Sequence, residues 1–203
     1  MIDTTITDPA CPLKQTTQRF VQRGHEVHLH VYIGTPAELE ERVLDGRLHL
    51  AVGHFPFRVP GLSYAPLYQE RHGFYCGRNH PLFGSKAPKA NLLDRIAASR
   101  VVARGYLQQR DLQAVGVEKA AATVDNVEAQ AMLILSGAYA GFLPEHYARQ
   151  WVKEGDMEHL EPGRLQLLSA FETITRRGVA PPLILRAFLD ELLHCARAIA
   201  AQN

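Results

Sequence analysis

Hydrophobic residues recur along this chain with two different periods. In Val27-His28-Leu29-His30-Val31-Tyr32-Ile33 they fall at every second position and are mostly β-branched, which predicts a strand. From Pro12 to Arg23 the spacing lengthens, and Leu13, Thr17, Phe20 and Val21 share one helical stripe. The longest such stripe lies near the end. Between Pro182 and Ala200 it runs through Leu185, Phe188, Leu189, Leu192, Leu193, Ala196 and Ile199. Short apolar runs predict further strands or extended segments at Leu48 to Val52, Gly61 to Tyr68, His72 to Gly77, Arg100 to Ala103 and Ala120 to Val124. Others lie at Tyr139 to Leu143, Met157 to Leu160 and Leu165 to Ile174. Met1-Ile2-Asp3 reads as the tail of a first strand, and Pro81 to Asn91 as a loop.

Punctuation residues place the helices between these strands. Thr35-Pro36-Ala37-Glu38 combines a capping threonine, a proline at the first helical position and a glutamate at the third. The helix it opens runs to Asp45, where Gly46 stops it. Asp125-Asn126-Val127-Glu128 repeats the logic with aspartate as cap, opening a helix from Val127 to Leu135. Further helices are expected over Leu92 to Ala98 and from Pro144 through Lys153, the latter with Tyr147 and Trp151 on its apolar side.

Strands and helices therefore alternate, which predicts an α/β protein with largely parallel sheets. Two strand–helix–strand sets are visible, one before about Gly77 and one from Leu92 to Leu160. The last helix has no sheet of its own, so it should pack back on the first set. The chain would then cross twice, near Cys76-Gly77 and near His159-Leu160. The expected division is lobe I, residues 1–76 and 161–203, and lobe II, residues 77–160. Two crossings make a hinge, and a hinge makes a cleft.

Composition narrows the function classes. With 203 residues there is room for one large domain or two small lobes. Twenty-two basic residues against 21 acidic ones leave a net charge of +1. No element carries the basic excess of a phosphate-gripping surface. Cys11, Cys76 and Cys195 are odd in number and widely spaced, so neither a zinc site nor a disulfide framework is indicated. That usage fits a reducing cytosol. No apolar run approaches the ~20 residues that span a bilayer, and the first residues do not read as a secretory signal.

Open α/β sheets bind ligands beyond the carboxyl ends of their strands. The residues at those positions are Thr4 and Thr5, then Thr35 and Pro36, and then His54. Further along come Arg104, Asn126, Leu143 and Pro144. Hydroxyls, helix N-termini and one arginine make a carboxylate-bearing metabolite the expected ligand. Each position has a plainer use: Thr35 and Asp125-Asn126 as helix caps, Arg104 as a solvated strand end. His28 and His30 point to one side of a strand but lack a third ligand, so no metal is expected, and no cofactor. Serine-nucleophile, metalloprotease, phosphate-loop and dinucleotide signatures are absent from the sequence.

Two stretches carry a family resemblance. Leu44-Asp45-Gly46-Arg47-Leu48-His49-Leu50-Ala51-Val52-Gly53, with Tyr75-Cys76-Gly77-Arg78-Asn79-His80-Pro81-Leu82 downstream, resembles the effector-binding domain of LysR-type transcriptional regulators. His49 stands where that family usually has aspartate. The resemblance covers nearly the whole chain. It implies a two-lobed fold like that of type 2 periplasmic binding proteins, each lobe a mostly parallel sheet flanked by helices, joined by two crossover strands. It implies effector contacts at Thr4, Thr5 and Thr35, and matches Gly141-Phe142-Leu143-Pro144 to a second-lobe motif ending in proline. It further implies a cytoplasmic, non-enzymatic sensor that forms a homodimer or homotetramer. Self-association would use the surface around Gln15 to Gln22 or Val27 to Val43. DNA would be bound only through a winged helix-turn-helix that this chain does not contain. The rival on the same plan is a solute-binding protein of a transport system, which needs a secretion signal upstream.

Overall fold

The computed structural model describes residues 8–24, 27–85, 91–107 and 109–201. It falls into two compact units, Met1–Glu70 with Ala170–Asn203, and Arg71–Ser169. Both divisions lie inside long strands, so the sequence-based boundaries at 76/77 and 160/161 fall within the second unit.

In the first unit, α1 (Leu13–Gln22) and α7 (Leu183–Ala200) pack together. Phe20 meets Phe188 edge-on at 5.2 Å, an arrangement the ring quadrupoles favour. Glu191 is buried on α7, and Arg19 donates to it at 2.8 Å while Arg23 pairs with its other oxygen. Phe20 of the expected stripe on α1 and Leu192 and Ile199 of that on α7 are buried, but other positions differ. Thr16, not Thr17, is buried on α1, its hydroxyl bonded to the Pro12 carbonyl, and Val21 is exposed. On α7, Glu191 and Cys195 are buried while Leu193 is exposed. The two arginines of α1 decide this, because they draw a carboxylate into the helix–helix seam.

The other half of this unit is built on α2 (Pro36–Leu44), β1 (Ala51–Gly53), the first part of β2 (Leu62–Gly77) and the last part of β7 (Gln166–Arg176). The capping box opens α2 as expected. Gly46 follows its end at φ 81°, a left-handed conformation that only glycine adopts without strain. Leu39, Val43, Ala51, Phe55, Leu62 and Ile174 form one buried cluster. β1 pairs antiparallel with β7, Ala51 opposite Ile174. The two extended segments read from Gly61 to Gly77 are one continuous strand. The stretch expected as a strand at Val27 to Ile33 pairs with no strand among the described residues, and Val27, Leu29, Val31 and Ile33 are exposed; the strand tail expected at Met1-Ile2-Asp3 lies outside the described residues. Alternation gives a strand only when a neighbouring ladder accepts it.

The second unit holds α3 (Leu92–Ala97), β3 (Val102–Arg104), α4 (Arg110–Gln113), β4 (Ala122–Val124) and α5 (Val127–Leu135). β5 (Ala140–Pro144), α6 (Glu145–Glu154) and β6 (Met157–Leu160) follow. β3 and β4 are parallel, and Val101 bridges Ala140 in the same sense. The crossing strand β2 pairs antiparallel with β5 and with β6. Its side chains alternate between two cores. Phe74 and Cys76 face one cluster with Val101, Ala103 and Phe142, while Tyr75 faces the other with Val102, Val127 and Leu143. Burial on both faces makes the Phe74 to Cys76 stretch of β2 uniformly apolar, and pushes the Cys76 thiol up to about 12. Gly77 lets β2 pass close to α5: a Cβ there would lie 2.2 Å from the Ile134 carbonyl oxygen.

Candidate functional site

The second unit contains a charged group whose buried donors have no hydrogen-bond partner among the described residues. Arg104 ends β3 and pairs with Val124 of β4. Strand alternation puts it on the face of Val102, which packs against α5. Its residue is only 3% exposed, so it is not the solvated strand end that the plainer sequence reading allowed. Guanidinium Nε and Nη2 are buried and have no hydrogen-bond partner among the described residues. The Tyr106 ring lies 5.8 Å from the guanidinium carbon. Buried polar groups are nearly always satisfied, and a buried unpaired charge costs several kcal/mol, so Arg104 is the candidate position in this unit.

The backbone around Arg104 is held firmly. Its N–H donates to Asp111 Oδ2 at 3.1 Å, and the N–H of Leu112 donates to Asp111 Oδ1 at 3.0 Å. Asp111 is itself buried. Gly105 follows, where a Cβ would approach Asp125 Oδ1 at 3.1 Å. Asn126, rather than Asp125, caps α5: its Oδ1 accepts from the Ala129 N–H at 2.7 Å. The first turn of α5 thus begins just beyond the strand partner of Arg104. Gln130 on the same helix is fully buried, its Nε2 3.5 Å from the Val102 carbonyl and its Oε1 without a donor. Leu143 is fully buried in the cluster with Tyr75 and Val127, and Pro144 ends β5 and opens α6.

Of the sequence-selected positions in the first unit, Thr35 and Pro36 start α2. The Thr35 oxygen accepts from the Glu38 N–H at 3.4 Å, and the Thr35 N–H donates to Glu38 Oε2 at 2.8 Å. The backbone N–H and then the hydroxyl of Thr35 hold the Glu38 carboxyl below its ordinary value. His54 is buried after β1, with Nδ1 2.9 Å from the Ala170 carbonyl of β7. Thr4 and Thr5 lie outside the described residues.

Sequence reasoning missed Asp111 and Gln130. Arg110-Asp111-Leu112 reads as an ordinary charged surface turn, and Gln130 as one polar residue on an otherwise apolar helix. It also passed over a polar pair beneath α6. The Tyr75 and His159 rings lie 4.5 Å apart, and His159 sits over Gly73, where a Cβ would clash with it. Burial holds His159 below its ordinary value.

The chain is thus two α/β units, with a buried cation at a strand end of the second. Residues 8–196 match the family model of the LysR substrate binding domain, and the chain belongs to that family of transcriptional regulators. It is 35% identical over 191 residues to the HTH-type transcriptional activator BauR of Pseudomonas aeruginosa, covering 94% of this chain and 62% of that protein. The chain thus spans less than two thirds of that relative's length. Among solved structures, it resembles the regulatory domain of Synechocystis PCC6803 CcmR in complex with 2-PG, with TM-score 0.73, 16% identity and 91% of each chain covered. It also resembles the effector binding domain of QuiR in complex with shikimate, with TM-score 0.72 and 13% identity over 92% of this chain and 90% of that one. The chain is therefore an effector-binding domain of this family. No helix among the described residues is long and apolar enough to cross a membrane.

Proposed function

We propose that this domain senses a small anionic metabolite in the cytoplasm and has no catalytic role of its own. It does so on behalf of a transcription factor whose DNA-reading part lies outside this chain. The observation that carries the anionic reading is Arg104, a buried guanidinium whose Nε and Nη2 lack acceptors. In the second unit Asn126 and Pro144 act beside it, and Leu143 sets the packing behind it. In the first unit Thr35, Pro36 and His54 are the candidate contacts, with Thr4 and Thr5 preceding the described residues. Effector binding shifts the population between domain arrangements, by as much as its differential affinity for them. The working protein is a homodimer or homotetramer, and its heads bind DNA.

The test is a thermal-shift screen of anionic, neutral and cationic metabolites against the chain, repeated on Arg104→Met. Hits confined to anions and lost in Arg104→Met support the reading. Hits that are neutral or cationic, or that survive the substitution, refute it. Sedimentation of the chain at tens of micromolar tests self-association, and a purely monomeric profile counts against it.

A further inference from the structure

Two histidines of the second unit are placed so that they fasten the structure only while uncharged. His80 lies in the turn that follows β2 and is 4% exposed. Its Nδ1 accepts from the Leu82 N–H at 3.2 Å. A ring nitrogen accepts only through a free lone pair, so a proton on Nδ1 abolishes this bond and sets two N–H groups against each other. The same turn is closed by the His80 N–H on the Gly77 carbonyl at 3.0 Å and by the Phe83 N–H on the His80 carbonyl at 2.9 Å.

His159 on β6 stands directly opposite Tyr75 of β2. Its ring lies 4.5 Å from the Tyr75 ring and covers Gly73, where a Cβ would fall 2.2 Å from Nε2. Nε2 is buried with no hydrogen-bond partner among the described residues, and Nδ1 faces the Tyr75 hydroxyl at 3.5 Å. In the imidazolium both nitrogens carry protons, and the proton on Nε2 has no acceptor there. We infer that these two imidazoles form an acid-sensitive latch on the end of β2. Neutral, they fasten the stretch from Gly73 to the turn at Leu82; protonated, they release it.

The charged groups around them do not offset this. Beside Tyr75 and His159, α6 brings Glu145 and Arg149, which are of opposite sign. Gln166 at the start of β7 already donates to Glu145 at 2.8 Å. On β2 itself, alternation puts His72 on the opposite face, with Phe74. Around the His80 turn, Arg78 pairs with Asp156 at 3.0 Å, and Arg95 of α3 donates to the Ser85 hydroxyl and the Pro81 carbonyl. Glu158 of β6 accepts from the Gly84 N–H. Burial accordingly holds both histidines below the ordinary 6.5, with Glu145 opposing it at His159. For such a group the stabilisation is complete above 6.5 and is lost as pH falls towards the depressed value. The latch does not depend on the identity of the effector.

The experiment follows the imidazole Cε1–H resonances of the labelled chain from about pH 8 to about pH 5, assigned by through-bond correlation to the backbone. Both rings should titrate below 6.5. Amide hydrogen exchange over the same range, corrected for intrinsic rates, reads the latch itself. Protection of Leu82 and of Phe74 to Gly77 should fall by at least about tenfold from about pH 7.5 to about pH 5.5, while amides of α7 in the first unit lose less than about threefold. His80→Asn keeps an acceptor that does not titrate, and His159→Phe keeps a flat ring. The double variant should lose the difference between the two units. If it does not fold, the titrations and exchange of the parent decide alone. Titration of either ring at or above 6.5, equal loss of protection in both units, or a selective loss that persists in the double variant overturns the latch.

Discussion

Replacing Arg104 with methionine should make the unliganded domain more stable while removing its response to effector. The argument is physical. Two buried, charged N–H donors lack acceptors among the described residues. Each unsatisfied buried donor costs ~1–3 kcal/mol, and charged ones more, so relieving both returns roughly 2–6 kcal/mol. Methionine keeps most of the aliphatic stem and its packing. Against the gain stands the contact with the Tyr106 ring at 5.8 Å, a distance at the outer limit of a useful cation–π interaction. That loss is about 0.5–1 kcal/mol, which leaves a net gain of roughly 1–5 kcal/mol. For a chain of this length each kcal/mol moves the melting temperature by about 2–4 °C, so Tm should rise by at least ~2 °C. Scanning calorimetry of the unliganded parent and variant measures this directly. Arg100→Met is the control: Arg100 is exposed, so its removal should change stability by no more than about 0.5 kcal/mol. A fall in Tm for Arg104→Met would refute the reasoning, because it would mean that the guanidinium is satisfied in the folded protein. A gain in stability with loss of effector binding is the signature of a site kept at the expense of the fold.

Three further outcomes test the framework. Thr35→Ala removes the capping box of α2 and should cost about 1 kcal/mol in urea unfolding, while Thr35→Ser keeps most of it. Gly77→Ala forces a Cβ to within 2.2 Å of the Ile134 carbonyl oxygen, so β2 and α5 must separate. The cost should be about 1–3 kcal/mol, and an unchanged unfolding midpoint would contradict the packing described here. Glu191 is held below its ordinary value by Arg19 first and then Arg23. A depressed folded pKa stabilises above the ordinary value of 4.5 and is lost as pH falls through the depressed one. The stability gap between the parent and Glu191→Gln should therefore shrink steadily below that pH, and a constant gap in acid titrations would speak against the pairing.

The local signals in this sequence were legible because they act over a few residues. The capping box at Thr35 to Glu38, the stop at Gly46 and the helix from Val127 to Leu135 are set by backbone hydrogen bonding within one turn, and each appears where the pattern places it. An apolar run marked β5, because a strand buried on both faces has no other way to read. The alternating run from Val27 to Ile33 is less decisive for the complementary reason. Strand formation is a property of a pair, and one member of a pair cannot show that its ladder exists. The burial of Glu191 on α7 was not legible because Arg19, Arg23 and Glu191 come from opposite ends of the chain, and their pairing is invisible until both helices are docked. Arg104 was legible as a position, at the end of a strand, but not as a state. Whether a guanidinium is solvated, paired or buried without acceptors depends on Asp111, Tyr106 and α5 packing around it. Burial and hydrogen-bond satisfaction are sums over neighbours distant in sequence, so the tertiary structure alone decided them.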